Sequence, residues 1–137
     1  MSSFHLQIVS PDGMFFDGKV KQVSLRTIDG DVSILSGHIP YLTAIGAGEC
    51  RVYLEDSTSP RRAACIGGFL NVTKEKCLIS ATTFEWAEDI DYDRAMNEKN
   101  HAENILSSEN SDKRNKDIAK IKLKHANVRL QVVENNK

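Results

Sequence analysis

The residues of this chain that could do chemistry are four histidines, three cysteines and one group of carboxylates. His5, His38, His101 and His125 stand apart, and no HExxH pair is present. Cys50, Cys65 and Cys77 contain no CxxC pair, so neither a zinc set nor a redox pair is expected. Their odd number, without a visible secretory leader, reads as buried reduced thiols in a cytosolic compartment. Glu85, Glu88, Asp89 and Asp91 could be a hydrolytic carboxylate pair. They also precede a helical pattern, where acids favour the positive end of the dipole. Gly46-Ala47-Gly48 lacks the third glycine of a dinucleotide site, and Gly67-Gly68 lacks the Lys-Ser/Thr of a phosphate loop. Both glycine pairs read as bends or places of close packing. His38, in Ser36-Gly37-His38-Ile39-Pro40, reads as a turn histidine. No catalytic constellation survives this weighing, and no enzyme is expected.

One line of residues remains. Lys122, His125 and Arg129 follow one another at i, i+3, i+7. At about 100° per residue they lie between two apolar stripes. One stripe is Ile118, Ile121, Val128 and Val132; the other is Ala119, Leu123, Ala126, Leu130 and Val133. Long stems covering apolar surface would give this pattern. So would a basic line that meets a polyanion or an acidic partner.

The elements that position these residues fall into two halves. All 8 glycines and all 3 prolines lie at or before Gly68, so the last part of the chain has neither breaker. The first part reads as short strands. Phe4, Leu6 and Ile8 alternate, and strands are expected over 32–35, 51–55, 69–73 and 77–82, each bounded by turn residues. Such strands favour an antiparallel sandwich or barrel. The last part reads as two helices joined by Ser107 to Ser111. Asp91 caps the first, which runs to about Leu106; Ser111 or Asp112 caps the second, which runs to about Val133. A short break favours an antiparallel hairpin. Its first helix offers only Tyr92, Ala95, Ala102 and Leu106 on one face, so the hairpin needs the β part, or a partner, for stability.

Composition excludes other classes. The chain has 137 residues, 40% hydrophobic and 27% charged, as in a globular domain with at most a small appendage. Its longest stretch without a polar side chain, Ala63 to Leu70, is too short for a membrane-spanning helix. A net charge of −1 gives no reason to expect a nucleic-acid binder. The charge is uneven, with residues 1–90 at −3 and residues 91–137 at +2.

An ordered set of short motifs runs through the chain. Phe4-x-Leu6-x-Ile8-Val9-Ser10-Pro11-x-Gly13 is followed by Phe16-x-Gly18-x-Val20-x-x-Val23. Gly30-x-x-x-Ile34-Leu35-x-x-His38-x-Pro40 comes next, then Gly67-Gly68-Phe69-Leu70-x-Val72, then Glu88-Asp89-Ile90-Asp91-x-x-Arg94-Ala95. In this order the motifs resemble the epsilon subunit of bacterial F-type ATP synthases, called delta in mitochondria. The resemblance implies a β-sandwich of about ten strands over 1–88 and a two-helix hairpin over 89–137. It implies a non-catalytic central-stalk subunit that docks on the gamma subunit and the c-ring and couples proton or sodium flow to rotation. The hairpin would extend to the alpha and beta subunits and inhibit ATP hydrolysis. The place implied is the cytoplasmic face of a bacterial membrane, held indirectly through the c-ring.

No cofactor is required by this resemblance; what it allows is a regulatory ATP. Some bacterial members bind ATP with the hairpin folded down, through Ile/Leu-Asp-x-x-Arg-Ala. Here that motif is Ile90-Asp91-Tyr92-Asp93-Arg94-Ala95. Glu85 stands where a base-contacting glutamate is expected, and Arg129 matches one arginine of the second helix. His125 stands where another is expected, and Lys122 lies one turn away. An ATP-sensing module is therefore the alternative reading.

Overall fold

The computed structural model describes residues 2–137. Seven strands come first: β1 Phe4–Ser10, β2 Gly13–Thr27, β3 Gly30–Leu35, β4 Tyr41–Ala44, β5 Ala47–Leu54, β6 Arg61–Val72 and β7 Cys77–Trp86. A 3-10 turn, Ala87–Asp89, leads to α1 Tyr92–Ser107 and α2 Lys113–Asn135.

The strands form a ring. β1 pairs with β7, β7 with β6, β6 with β5, β5 with β2, and β2 returns to β1. β3 hangs on β2 and β4 on β6. All pairings between strands are antiparallel except β1 with β7. The result is a flattened barrel, with Leu6, Ile8, Val20, Val23, Val52 and Ile79 fully buried inside.

The sandwich-and-hairpin class is as expected, but seven strands stand where about ten were. Two long strands change partners partway. The first half of β2 pairs with β1, and its second half with β3 and β5, with an irregularity between Val20 and Gln22. β6 pairs with β5 over Arg61 to Ile66 and with β4 over Phe69 to Val72. Strands that switch layers count once along the chain and twice across the layers. The corner of β6 is Gly67-Gly68, both at positive φ (73° and 101°). A Cβ on Gly68 would lie 1.9 Å from the Ser80 carbonyl oxygen, so only glycine fits there.

The other glycine pair also serves close packing. The stem of Arg26 crosses Gly46 and Gly48, where an added Cβ would come within 3.2 and 2.8 Å of it. The three cysteines are free thiols in the core. Burial pushes Cys65 and Cys77 up to about 12, so neither is a thiolate at neutral pH.

Both helices begin at carboxylate caps. Asp91 accepts from the Arg94 amide at 3.0 Å and Asp112 from the Asn115 amide at 2.8 Å. The helices pack on each other, and their buried residues are mostly alanine: Ala95 and Ala102 in α1, Ala119 and Ala126 in α2. Small side chains let the two axes approach closely.

The hairpin lies down on the sandwich. Val132 is fully buried in a small cluster with Ala64 and Ala87, flanked by Ile90 and Val128. This cluster is separate from the sandwich core. The sandwich covers only the C-terminal end of the Ile118–Val132 stripe; Ile118 and Ile121 remain 42% and 58% exposed. A second tie comes from Glu49 on β5. Its carboxylate accepts from Arg51, Arg62 and, near the end of α2, Asn135, each at 3.0 Å.

Candidate functional site

The end of β7, the first turns of α1 and the middle of α2 meet in one charged cluster. Arg129 on α2 donates through Nε to Glu85 Oε1 at 2.5 Å. Its Nη1 lies 4.0 Å from Glu98 Oε2. Arg94 on α1 donates through Nε to the other oxygen of Glu98 at 3.0 Å. Glu98 therefore bridges the two arginines. Arg129 is mostly covered, whereas the Arg94 side chain is 78% exposed. An anion entering here meets Arg94 first and must compete with carboxylates for Arg129.

Two cavities flank the cluster and share Arg94, Glu98 and Arg129 as walls. One, of about 370 Å³, opens between sandwich and hairpin and is lined by Glu85, Asp91 and Ala95. The other, of about 500 Å³, lies between the helices and is lined by His101, Lys122 and His125. The structure thus gathers Glu85, Asp91, Arg94, Ala95, Lys122, His125 and Arg129. Ile90 does not line either cavity; it packs beside Val132 under the hairpin. Glu98 and His101 escaped the sequence reading. The i, i+4 spacing of Arg94 and Glu98 was the available signal for the former.

The carboxylate group separates into structural roles. Glu85 pairs with Arg129, Glu88 accepts from Arg61 at 3.0 Å, and Asp91 caps α1. His38 sits in its turn, with Nδ1 2.7 Å from the Ile39 carbonyl oxygen.

His125 gives the cluster a pH dependence. Partial burial lowers its pKa below the ordinary 6.5, and the nearby charges of Arg129 and Lys124 add to the effect. Its folded-state pKa is therefore below the unfolded one. Packing of α2 is at full strength above about pH 6.5 and weakens as the pH falls through that value toward the lowered pKa. The hairpin's thermal unfolding midpoint is expected to fall on acidification, and His125→Gln is expected to flatten the profile between pH 5 and 7.

Comparison with known proteins decides the family. The ATP synthase delta/epsilon chain beta-sandwich domain matches residues 3–87, and the long alpha-helix domain of the same chain matches residues 88–134. The chain belongs to the ATP synthase delta/epsilon family. The ATP synthase epsilon chain of Bacillus velezensis is 37% identical over 137 residues, covering 98% of this chain and 100% of that one. The epsilon chain of Caldicellulosiruptor saccharolyticus is 39% identical over 106 residues, 77% of this chain and 76% of that one. Among solved structures, a chain of the Euglena gracilis mitochondrial ATP synthase (OSCP/F1/c-ring) superposes with a TM-score of 0.82 at 20% identity. That match covers 96% of this chain and 81% of the Euglena chain, and it speaks for the fold. Both halves of this family member, sandwich and hairpin, are therefore accounted for.

Proposed function

We propose that this chain is the non-catalytic epsilon subunit of an F-type ATP synthase central stalk. Its sandwich docks on the gamma subunit and the c-ring, and its hairpin regulates ATP hydrolysis. Family membership over both halves is the observation that carries this reading. The docking surface we favour is apolar and exposed. Leu42 and Phe69 project from the same side of the β4–β6 pair, 69% and 59% exposed, and Ile39 beside β4 is 75% exposed. Such a patch marks an interaction site.

No helix among the described residues is long and apolar enough to cross a membrane. Attachment on the cytoplasmic face of a bacterial membrane would then pass through the c-ring. The hairpin's small buried contact suits a movable brake. Released, it would present Ile118, Ile121 and the basic line to the alpha and beta subunits.

A matching gamma subunit, mixed with the wild-type chain and with Leu42→Asp/Phe69→Asp, tests the docking. The double variant is expected to lose at least about tenfold in affinity, with its melting temperature nearly unchanged. Wild-type affinity in the variant would move the docking surface elsewhere.

The charged cluster favours a second reading, compatible with the first: ATP is a regulatory ligand of the folded-down hairpin. Arg94 and Arg129 would hold phosphates, Lys122 and His125 would add to the basic wall, and Glu85 would face the base. A neutral His125 contributes less than a guanidinium would. Arg94→Ala is expected to weaken ATP binding about tenfold or more, read from Trp86 fluorescence or amide shifts. Unchanged affinity would remove Arg94 from the site.

A further inference from the structure

The opposite flank of α2 carries a second cleft that the family reading leaves unused. At about 100° per residue, Lys120 and Lys124 point away from His125 and Arg129. Facing them across a cavity of about 570 Å³ are Arg26 on β2, Arg51 on β5 and the backbone around Gly48. We propose that this cleft binds a small phosphate monoester, with the phosphate among the cations and the organic part on the apolar floor.

Three observations carry the proposal. First, the charge is unbalanced. Four cations, Arg26, Arg51, Lys120 and Lys124, line the cleft against two carboxylates, Asp31 and Glu49. The carboxylates are taken: Asp31 pairs with Arg26, and Glu49 with Arg51 and Arg62. Lys120 and Lys124 have no carboxylate partner among the described residues. The two unmatched charges equal those of a phosphate-monoester dianion.

Second, the sandwich wall is preorganised. Arg26 donates through Nε and Nη2 to the two oxygens of Asp31, at 2.8 and 3.3 Å. Its stem is laid along Gly46 and Gly48, which leave no room for a Cβ beneath it. Its Nη1 makes no hydrogen bond among the described residues, and Arg26 lines the cleft. A guanidinium fixed before binding loses little freedom when the ligand arrives.

Third, the shape suits an organic phosphate better than a bare ion. The volume lies within the range of small-molecule sites, and Leu123, Val128 and Ala47 give the floor an apolar part.

The walls come from both sandwich and hairpin, so a bound ligand favours the folded-down hairpin by linkage. That consequence rests on the movable-hairpin reading; binding itself does not. Amide chemical shifts of the full chain, titrated with AMP and with inorganic phosphate, test the site. AMP is expected to shift Gly48, Lys120, Lys124 and Asn127, and to bind about tenfold more tightly than inorganic phosphate. Lys120→Gln/Lys124→Gln, both exposed positions, should weaken AMP about tenfold or more. Shifts confined to Arg94, His101 and Arg129, or no shifts with millimolar AMP, would overturn the proposal. So would unchanged affinity in the double glutamine variant. Phosphate binding as tightly as AMP would overturn the monoester assignment.

Discussion

Gly68→Ala is expected to cost the sandwich about 4 kcal/mol or more and to lower its melting temperature by roughly 12 °C or more. The new methyl would lie 1.9 Å from the Ser80 carbonyl oxygen and 2.9 Å from the Ala81 Cα, both backbone atoms of β7. It would also force an L-residue to φ +101°. Relief requires β6 to leave β7, because Gly68 is in register with Ala81 in that pair. The same corner hands β6 from β5 to β4, so both layers lose their join. Gly37→Ala is the matched control. Its φ is also positive, at 83°, but an added Cβ there meets nothing within 4 Å. Its cost should be about 1 kcal/mol. Equal losses in thermal unfolding would mean that the backbone angle, not the contact with β7, makes Gly68 special.

Val132→Asp is expected to free the hairpin while leaving the sandwich folded. Val132 is fully buried in an apolar cluster with Ala64 and Ala87, flanked by Ile90 and Val128. A carboxylate buried there costs several kcal/mol, so the helix end leaves instead. The packing it breaks belongs to a cluster apart from the main core. Cleavage of α2 by trypsin should then rise by tenfold or more, with little change in the sandwich's unfolding. Val132→Ala removes only methyl groups, at about 2 kcal/mol, and should give an intermediate rate. A loss of sandwich stability as large as that from Gly68→Ala would make the two halves one cooperative unit.

Legibility in the sequence followed local signals. The helices announced themselves because Asp91 and Asp112 are caps and the apolar stripes keep a helical period. β1 announced itself by strict alternation. β2 and the start of β6 did not, although they run for 15 and 12 residues. A strand that changes partners also changes which side is covered, so alternation breaks around Lys19 to Gln22 and again near Gly67. β4, only four residues after Pro40, carries too little pattern to read.

The site was legible in a different way. Glu85 and Arg129 are 44 residues apart, and nothing local joins them. Resemblance to a family named both, and the fold brings them into contact. Ile90 belonged to the same motif, yet here it serves packing under Val132. Glu98 lies outside every motif of the sequence, and only the fold makes this one carboxylate hold two cations.

The most direct test is ATP hydrolysis by a matching alpha–beta–gamma complex, measured with the wild-type chain and with Val132→Asp. Both chains should co-purify with the complex, because the proposed docking surface lies on the sandwich. Val132→Asp should inhibit hydrolysis more strongly than wild type, because its hairpin is already released. If neither chain joins the complex, the stalk assignment fails; if both join and inhibit equally, the hairpin is not the brake.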